Sequence, residues 1–180
     1  MNPPPAESLE TDGWQDRIRS IPDFPKPGID FKDITPLLAD GAAFAQVIDR
    51  IASVYGGRVD KVCGIEARGF ILAAPVAYRL GVGFVPIRKH GKLPFTAEAA
   101  SYELEYSEAI LEIHCDAVRA GERVLIVDDV LATGGTARAA ADLVERLGGV
   151  VSGIVCLIEL EFLNGRKQLV DRNLQTFIRY

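Results

Sequence analysis

The sequence predicts an α/β fold with a mostly parallel, twisted sheet that is flanked by helices. Two observations carry this prediction. From residue 59 onwards, strand-like apolar runs alternate with helix-like segments, which is typical of a parallel sheet covered on both faces. The runs 124–127 and 153–158 are apolar without a polar residue at every second position, as expected for strands buried on both sides.

Before this alternation the chain is rich in proline. Residues 1–13 are polar and proline-rich, which predicts a flexible tail. Residues 14–21 place Trp14 on the same face as two isoleucines, and this spacing predicts a short helix. Residues 22–36 contain too many prolines for regular structure, so an extended segment is expected there. Residues 44–55 carry an apolar stripe with helical spacing, which predicts the first long helix.

The remaining elements follow from the same patterns of apolar residues. Strands are predicted at 59–65, 83–88, 101–106, 110–114, 124–128, 150–157 and 175–179, and helices at 69–80 and 136–147. The run 110–114 is ambiguous with a helix, and Pro75 is expected to kink or start part of its helix. Residues 90–100 are predicted to form a loop, and Gly148 a left-handed helix stop. No repeat or second domain is visible, so residues 14–180 are predicted to form one domain.

Composition excludes several classes of function. The chain has 180 residues, of which 48% are hydrophobic and 25% charged, with a net charge of -5. This is ordinary globular composition, and the negative charge argues against a nucleic-acid or membrane-surface binder. No signal peptide or membrane span is visible. The three cysteines are widely spaced, which predicts reduced thiols and a cytoplasmic location.

The stretch VLIVDDVLATGGT, residues 124–136, is the strongest candidate for a site. In parallel sheets ligands bind beyond the carboxyl ends of the strands, and this strand delivers Asp128 and Asp129 there. The turn that follows opens a helix, whose free N–H groups favour a phosphate. Glycines at 134 and 135 let the backbone approach it closely. The acids are expected to bind sugar hydroxyls or a divalent metal. Thr133 and Thr136 add hydroxyl donors, and either one could act as the N-cap of the helix.

Two familiar phosphate loops are absent from the sequence. No lysine follows Gly135, as a P-loop requires, and the pair Gly81 and Gly83 lacks the third glycine of a dinucleotide fingerprint. The alternative is a purely structural role, in which the two acids merely end a strand and cap a loop. Their combination with the apolar run and the glycine turn favours a binding site over this alternative.

Together with four further segments, this stretch resembles the adenine-specific branch of the type I phosphoribosyltransferase family. The segments are RSIPDFPKPGIDFKDITPLL (19–38), GIEARGFILAAPVA (64–77), VPIRKHGKLP (85–94) and SYELEY (101–106). The resemblance covers about residues 15–160 and implies the family fold, with a hood at about 14–38 and a mobile loop. It also implies a Mg2+-dependent reaction of adenine with 5-phosphoribosyl 1-pyrophosphate, giving AMP and pyrophosphate. A cytoplasmic homodimer serving purine salvage is expected.

The resemblance also assigns roles to particular residues. The 5′-phosphate would be held by Ala132, Thr133, Gly134, Gly135 and Thr136. Asp128 and Asp129 would hold the ribose hydroxyls, directly or through Mg2+. Pyrophosphate would be bound by Glu66, Ala67, Arg68, Gly69, Arg88, Lys89 and Lys92, with Arg68 as the main cation and part of this group reaching across the dimer. Adenine would be recognised by Ile29, Asp30, Phe31 and Lys32, largely through the main chain, and by Ala132.

In the mobile loop, Glu105 is expected to take the proton from adenine, with Tyr106 beside it. The loop 90–100 is expected to act as a lid that excludes water. Asp30 departs from the family pattern, because an apolar residue is expected in the hood. Adenine specificity is retained if the backbone reads the base, and is in doubt if the Asp30 side chain points inward.

Three alternatives remain from the sequence. Another base, such as guanine, hypoxanthine, xanthine or orotate, would keep the mechanism and change the specificity. The basic residues Arg88, Lys89 and Lys92 would form a solvated charge run if they did not bind a ligand. A non-catalytic regulator that senses 5-phosphoribosyl 1-pyrophosphate would usually carry a DNA-binding domain, for which the residues before the sheet are too few.

Overall fold

A computed structural model of the protein describes residues 13–104 and 107–180. The strands are β1 Arg19–Pro22, β2 Asp30–Asp33, β3 Lys61–Ile65, β4 Gly83–Lys89, β5 Ala97–Leu104, β6 Ser107–His114, β7 Arg123–Leu131, β8 Val150–Glu159 and β9 Leu174–Arg179. The helices are α1 Thr35–Ala39, α2 Gly41–Tyr55, α3 Gly69–Leu80 and α4 Gly135–Arg146. Short 3-10 turns cover Gln15–Arg17, Glu161–Leu163 and Gly165–Leu169.

The main sheet has seven strands in the order β5-β6-β4-β3-β7-β8-β9. Strands β4, β3, β7, β8 and β9 pair in parallel, and the hairpin β5–β6 joins the edge of β4 antiparallel. The expected α/β fold with a mostly parallel sheet is therefore confirmed. The strands β1 and β2 form a separate antiparallel pair.

The two faces of the sheet bury two separate cores. Along β7, Leu125 and Val127 pack with α2 and α3, whereas Val124 and Ile126 pack with α4. Successive side chains of a strand point to opposite faces, so an unbroken apolar run serves both cores. Helix α2 begins after Asp40, whose carboxylate accepts hydrogen bonds from the N–H groups of Ala42 and Ala43, both at 3.1 Å. This cap extends the helix beyond the predicted 44–55.

The N-terminal segment differs from the prediction. Residues 14–21 form only a 3-10 turn followed by β1, and the proline-rich segment 22–36 contains β2. The cause is pairing between the two segments, in which Ile21 lies opposite Phe31. Trp14 is buried against Phe177 of β9, with ring centroids 5.7 Å apart, so its apolar side packs on the sheet edge. The predicted tail, residues 1–13, lies outside the described residues except for Gly13.

Boundaries later in the chain also differ, whereas helix α3 keeps its predicted bounds. The predicted loop 90–100 ends earlier, because β5 begins at Ala97 and pairs along its length with β6. Strand β7 continues past the two acids to Leu131, because β8 pairs with it there. Helix α3 runs from Gly69 to Leu80 as one helix with Pro75 inside it. Within the described part of the chain, no helix has the length and apolarity needed to cross a membrane.

Candidate active site

The carboxyl end of β7 brings the two acids of the predicted site against the start of α3. The N–H of Asp129 donates to Asp128 Oδ1 at 2.9 Å. A Cβ added to Gly69 would lie 2.9 Å from both Asp128 Oδ1 and the Val127 carbonyl oxygen. Position 69 therefore needs glycine, because only a residue without a side chain lets α3 begin this close to the acids.

The electrostatics of the two acids are set by burial. Only 6% of Asp129 is exposed. Burial and the neighbouring charge of Asp129 raise the pKa of Asp128 well above its usual value. Burial also raises the pKa of Asp129, although the charge of Arg68 opposes that rise. A group that brings positive charge or hydroxyl donors to this strand end would therefore stabilise the ionised pair.

Arg68 connects the acids to the β1–β2 hairpin. Its Nε lies 2.8 Å from Asp129 Oδ2, and its guanidinium carbon lies 4.9 Å from the ring centroid of Phe31. The Arg68 Nη1 atom is buried and has no hydrogen-bond partner among the described residues, whereas Asp129 Oδ2 is engaged by the ion pair with Arg68 Nε. Buried polar atoms without partners are rare, so Arg68 Nη1 is suited to a polar ligand.

The glycine turn between β7 and α4 lies beside the acids. Gly134 has φ +87°, and a Cβ there would lie 2.3 Å from the Gly165 carbonyl oxygen. The N-cap of α4 is Gly134 and no side chain caps the helix, so the prediction that Thr133 or Thr136 caps it is wrong. The backbone dihedral angles place the helix start at the glycine. The first N–H groups of α4 are consequently not taken by a capping side chain, which suits an anion.

Gly165 is a residue of this site that sequence reasoning missed. A Cβ at Gly165 would lie 2.1 Å from the carbonyl oxygen of Ala132 and 2.9 Å from the N of Gly134. The segment after β8 therefore packs directly behind the turn. A bidentate ion pair from Arg166 to buried Glu159 holds it there, at 3.0 and 2.6 Å. The sequence offers only an Asn-Gly pair at 164–165, a turn signal that does not identify its distant partner.

The basic residues at the end of β4 and directly after it converge on Glu66. Its carboxylate lies 3.2 Å from Arg88 Nε and 2.6 Å from Lys92 Nζ, and the N–H of Lys89 donates to it at 3.1 Å. Burial opposes ionisation of Glu66, but the hydrogen bonds from Lys92 and Arg88 outweigh it and lower the pKa to about 2. Arg88 and Lys92 are therefore held by an ion pair rather than forming a freely solvated charge run.

Replacing Glu66 by Gln is expected to lower the free energy of unfolding by about 1 kcal/mol near neutral pH. The folded pKa lies below the ordinary value of 4.5, so the stabilisation is present above that value and is lost as pH falls towards about 2. Urea denaturation at about pH 7 and about pH 3 measures the difference. Glu161→Gln, at an exposed ion pair with Arg179, is the control. A difference from wild type that does not shrink on acidification would contradict the assignment.

The hairpin places its alternate side chains on opposite faces. Phe31 faces Arg68, whereas the Asp30 carboxylate accepts hydrogen bonds from Lys32 Nζ at 2.8 Å and from Ser20 Oγ at 3.3 Å. Lys32 Nζ also lies 4.1 Å from the ring centroid of Tyr180. The Asp30 side chain is thus engaged on the face opposite Phe31 and is not directed towards Arg68.

Two predicted residues, Glu105 and Tyr106, lie outside the described residues. Ala67 belongs to the turn before α3, and its peptide bond with Glu66 is cis. Ile29 is exposed at the start of β2. Across residues 13–104 and 107–180, no three His, Cys, Asp or Glu side chains lie close enough to hold a metal ion. A metal at Asp128 and Asp129 would thus need ligands from a bound substrate or water.

Comparison with known proteins places this arrangement in a family. Residues 30–179 match the family model of the phosphoribosyl transferase domain. An adenine phosphoribosyltransferase of Roseiflexus castenholzii is 57% identical over 166 residues, which cover 92% of this chain and 96% of that protein. An adenine phosphoribosyltransferase of Salinispora arenicola is 61% identical over 157 residues, which cover 87% of this chain and 84% of that protein.

Solved structures agree with this assignment. The adenine phosphoribosyltransferase of Thermoanaerobacter pseudethanolicus superimposes with a TM-score of 0.91 at 54% identity, covering 94% of this chain and 99% of that one. The adenine phosphoribosyltransferase of Saccharomyces cerevisiae, complexed with an imino-altritol bisphosphate and adenine, gives a TM-score of 0.89 at 38% identity. The match covers 93% of this chain and 97% of that one.

Proposed function

The chain belongs to the phosphoribosyltransferase family, and from this premise we infer that it transfers ribose 5-phosphate from 5-phosphoribosyl 1-pyrophosphate to adenine. The products are AMP and pyrophosphate. The observation that carries the inference is one strand end where an acid pair with Asp129 buried, an uncapped glycine turn and Arg68 meet. Relatives of about 60% identity bear the name of this activity.

We propose that the turn and the acids bind the two halves of the ribose phosphate. The backbone N–H groups of residues 132–136 would hold the 5′-phosphate, with the hydroxyls of Thr133 and Thr136 as further donors. Asp128 and Asp129 accept hydrogen bonds, so they suit the two ribose hydroxyls. These hydroxyl donors would stabilise the ionised form of the acids, which burial and the charge of the neighbouring acid both disfavour.

We assign the leaving pyrophosphate to the cations Arg68, Arg88 and Lys92. Breaking the C1′–O bond builds positive charge on the ribose and negative charge on pyrophosphate, as in glycoside transfer generally. Arg68 offers a buried Nη1 without a partner, and Arg88 and Lys92 lie together on Glu66. Glu66 would not contact pyrophosphate itself, because both are negative, but it holds the cations in place. Such fixed charges stabilise a developing anion without reorganisation.

We propose that adenine binds under the β1–β2 hairpin. Backbone groups of residues 29–32 would read its edge, and the ring of Phe31 and the backbone at Ala132 would contact its faces. The Asp30 carboxylate, bonded to Lys32 and Ser20 on the other face, leaves this role unaffected. The Saccharomyces structure contains adenine, which supports this base over guanine, hypoxanthine, xanthine or orotate.

Mg2+ is proposed as the cofactor. The residues present fit it in part, because Asp128 and Asp129 supply carboxylate oxygens at one strand end, although Asp129 Oδ2 already pairs with Arg68 Nε. When bound, the ion would neutralise charge on the diphosphate. Product formation that survives removal of divalent ions by EDTA would contradict this proposal.

Glu105 is proposed as the base that takes the proton from adenine as the new C1′–N bond forms. A carboxylate in this role contributes about 10²-fold or more to the rate. Tyr106 beside it and the segment 90–96 would help to exclude water, since the charged ribose is easily hydrolysed. A Glu105→Gln variant with the wild-type pH–rate profile would exclude this role.

A homodimer and a cytoplasmic location are also proposed. Ile71 and Tyr78 are seven residues apart on one face of α3, and they are 44% and 88% exposed. Phe84 of β4 is a further exposed aromatic side chain, and it packs edge-on against Phe70 of the same helix. An exposed apolar patch of this kind suits a second copy of the chain. The three free cysteines suit a reducing compartment. A solution mass of one 19.5 kDa chain would contradict the dimer.

The first test is product formation with 5-phosphoribosyl 1-pyrophosphate, Mg2+ and a panel of bases. AMP from adenine alone is expected, because the Asp30 side chain faces away from Phe31. Product from another base would retain the mechanism and reject the assigned specificity. Binding of 5-phosphoribosyl 1-pyrophosphate without product from any base would favour the regulator instead.

A further inference from the structure

Glu112 is a buried carboxylate that the proposed reaction does not use. It lies in β6 with 8% of its surface exposed. Its neighbours in the sheet are Arg88 of β4 and Ala99 of β5. Burying a carboxylate costs free energy unless hydrogen bonds compensate for it. The hydrogen-bond partners of Glu112 therefore indicate its role.

Both oxygens of Glu112 bind the segment that follows β4. Oε1 lies 2.5 Å from His90 Nδ1, and Oε2 accepts a hydrogen bond from the N–H of Gly91 at 2.9 Å. The N–H of His90 donates to the carbonyl of Ile110 in the same strand at 3.0 Å. Residues 90 and 91 are thereby attached to β6 by three contacts, two of them made by one carboxylate.

Two carboxylates together hold five consecutive residues. Glu66 contacts the side chains of Arg88 and Lys92 and the N–H of Lys89, and Glu112 contacts the two residues between. Arg88 Nη1 also donates to the carbonyl of Lys92 at 3.0 Å. The backbone of residues 88–92 is therefore held from both sides, and the position of Lys92 depends on the attachment of residues 90 and 91.

We propose that Glu112 is a positioning residue for pyrophosphate binding, acting through His90 and Gly91 to place Lys92. This inference rests on the proposed pyrophosphate site at Arg68, Arg88 and Lys92. A cation on a flexible side chain stabilises an anion best when its backbone is already fixed. Glu112 provides that fixed backbone without touching the ligand.

The sign of the effect separates positioning from simple charge repulsion. Glu112 is negative and lies on the strand next to Arg88, so removing its charge would tighten pyrophosphate binding if electrostatics alone mattered. If Glu112 positions the segment, Glu112→Gln weakens binding instead. The loss of one charge-assisted hydrogen bond predicts a weakening on the order of tenfold.

The experiment measures the Kd of pyrophosphate by calorimetry and KM for both substrates in Glu112→Gln. The expected result is a weaker Kd, a higher KM for 5-phosphoribosyl 1-pyrophosphate and an unchanged KM for adenine. Glu98→Gln is the matched control, because Glu98 lies on the paired strand β5, is partly exposed and lies 3.9 Å from Arg146. If Glu112→Gln does not fold, His90→Ala removes the His90–Glu112 contact from its exposed partner. This variant is also expected to weaken the Kd of pyrophosphate.

A double-mutant cycle with Lys92→Ala decides whether Glu112 acts through Lys92. Glu112→Gln is expected to have little further effect once Lys92 is absent, because coupled residues are not additive. Additive losses, tighter binding, or an unchanged Kd while Lys92→Ala weakens binding would each overturn the positioning role and leave the proposed site in place. An unchanged Kd in both single variants would overturn the site and the positioning role together.

Discussion

Changing Asp128 and Asp129 together to Asn is expected to lower kcat/KM by about 10³-fold. Each Asn keeps the shape but loses an ionised acceptor for the ribose hydroxyls and for a metal. Burial already raises the pKa of both acids, so the folded protein gives up little when their charge is removed. The loss should therefore appear in turnover and in the affinity for 5-phosphoribosyl 1-pyrophosphate rather than in the fold.

Steady-state kinetics and thermal unfolding of the same preparation test this expectation. A matched control is the pair Asp142→Asn and Asp171→Asn, which removes the same charge from acids that contact Arg138 and Arg172. Near-normal turnover in the Asp128/Asp129 variant would reject the ribose site. Loss of activity that merely follows a large drop in Tm would assign the acids a structural role.

Replacing Arg68 by Gln is expected to lower kcat by about 10²- to 10³-fold, the range seen when one donor to a developing anion is removed. The guanidinium lies between Asp129 and Phe31 and carries the buried Nη1 atom that has no partner among the described residues. Gln cannot supply this charge at the same place. Arg68→Lys keeps the charge without the planar fork, so a smaller loss is expected.

Stability must be separated from catalysis in this variant, because Gln at 68 leaves the buried Asp129 without its ion pair. An added Asp129→Asn change removes that unpaired charge and is expected to raise the Tm again. Turnover is expected to stay low in this double variant in either case, because Asp129 is also proposed to hold the ribose. Pyrophosphate affinity therefore decides: it should stay weak in both variants if Arg68 binds the leaving group, and its recovery along with Tm would show that Arg68 serves the fold.

Local patterns predicted the elements whose structure depends on local sequence. Helix α3 has the predicted bounds, and Gly148 has φ +86° as expected for a left-handed stop. The apolar run of β7 is fully buried. These features follow from apolar periodicity and from the freedom of glycine, and both can be read within a few residues of the chain.

Predictions failed where a distant partner decides the structure. Residues 14–21 have helical spacing, yet Ile21 pairs with Phe31 in a hairpin. The loop 90–100 is shortened because β6 supplies a strand partner from Ala97 onwards. Strand pairing satisfies backbone groups through hydrogen bonds between separate segments, and such bonds leave no periodic signal in either segment alone.

The sequence by itself determined the chemistry available to this protein: an acid pair before a glycine turn, an arginine between Ala67 and Gly69, and a basic run after a strand. The tertiary structure decided how these groups are paired. It places Arg68 on Asp129, Gly165 behind Ala132, and Glu66 and Glu112 around residues 88–92. Each of these contacts joins residues from separate segments, so their distances follow from how the sheet and its flanking segments pack, which no local pattern encodes.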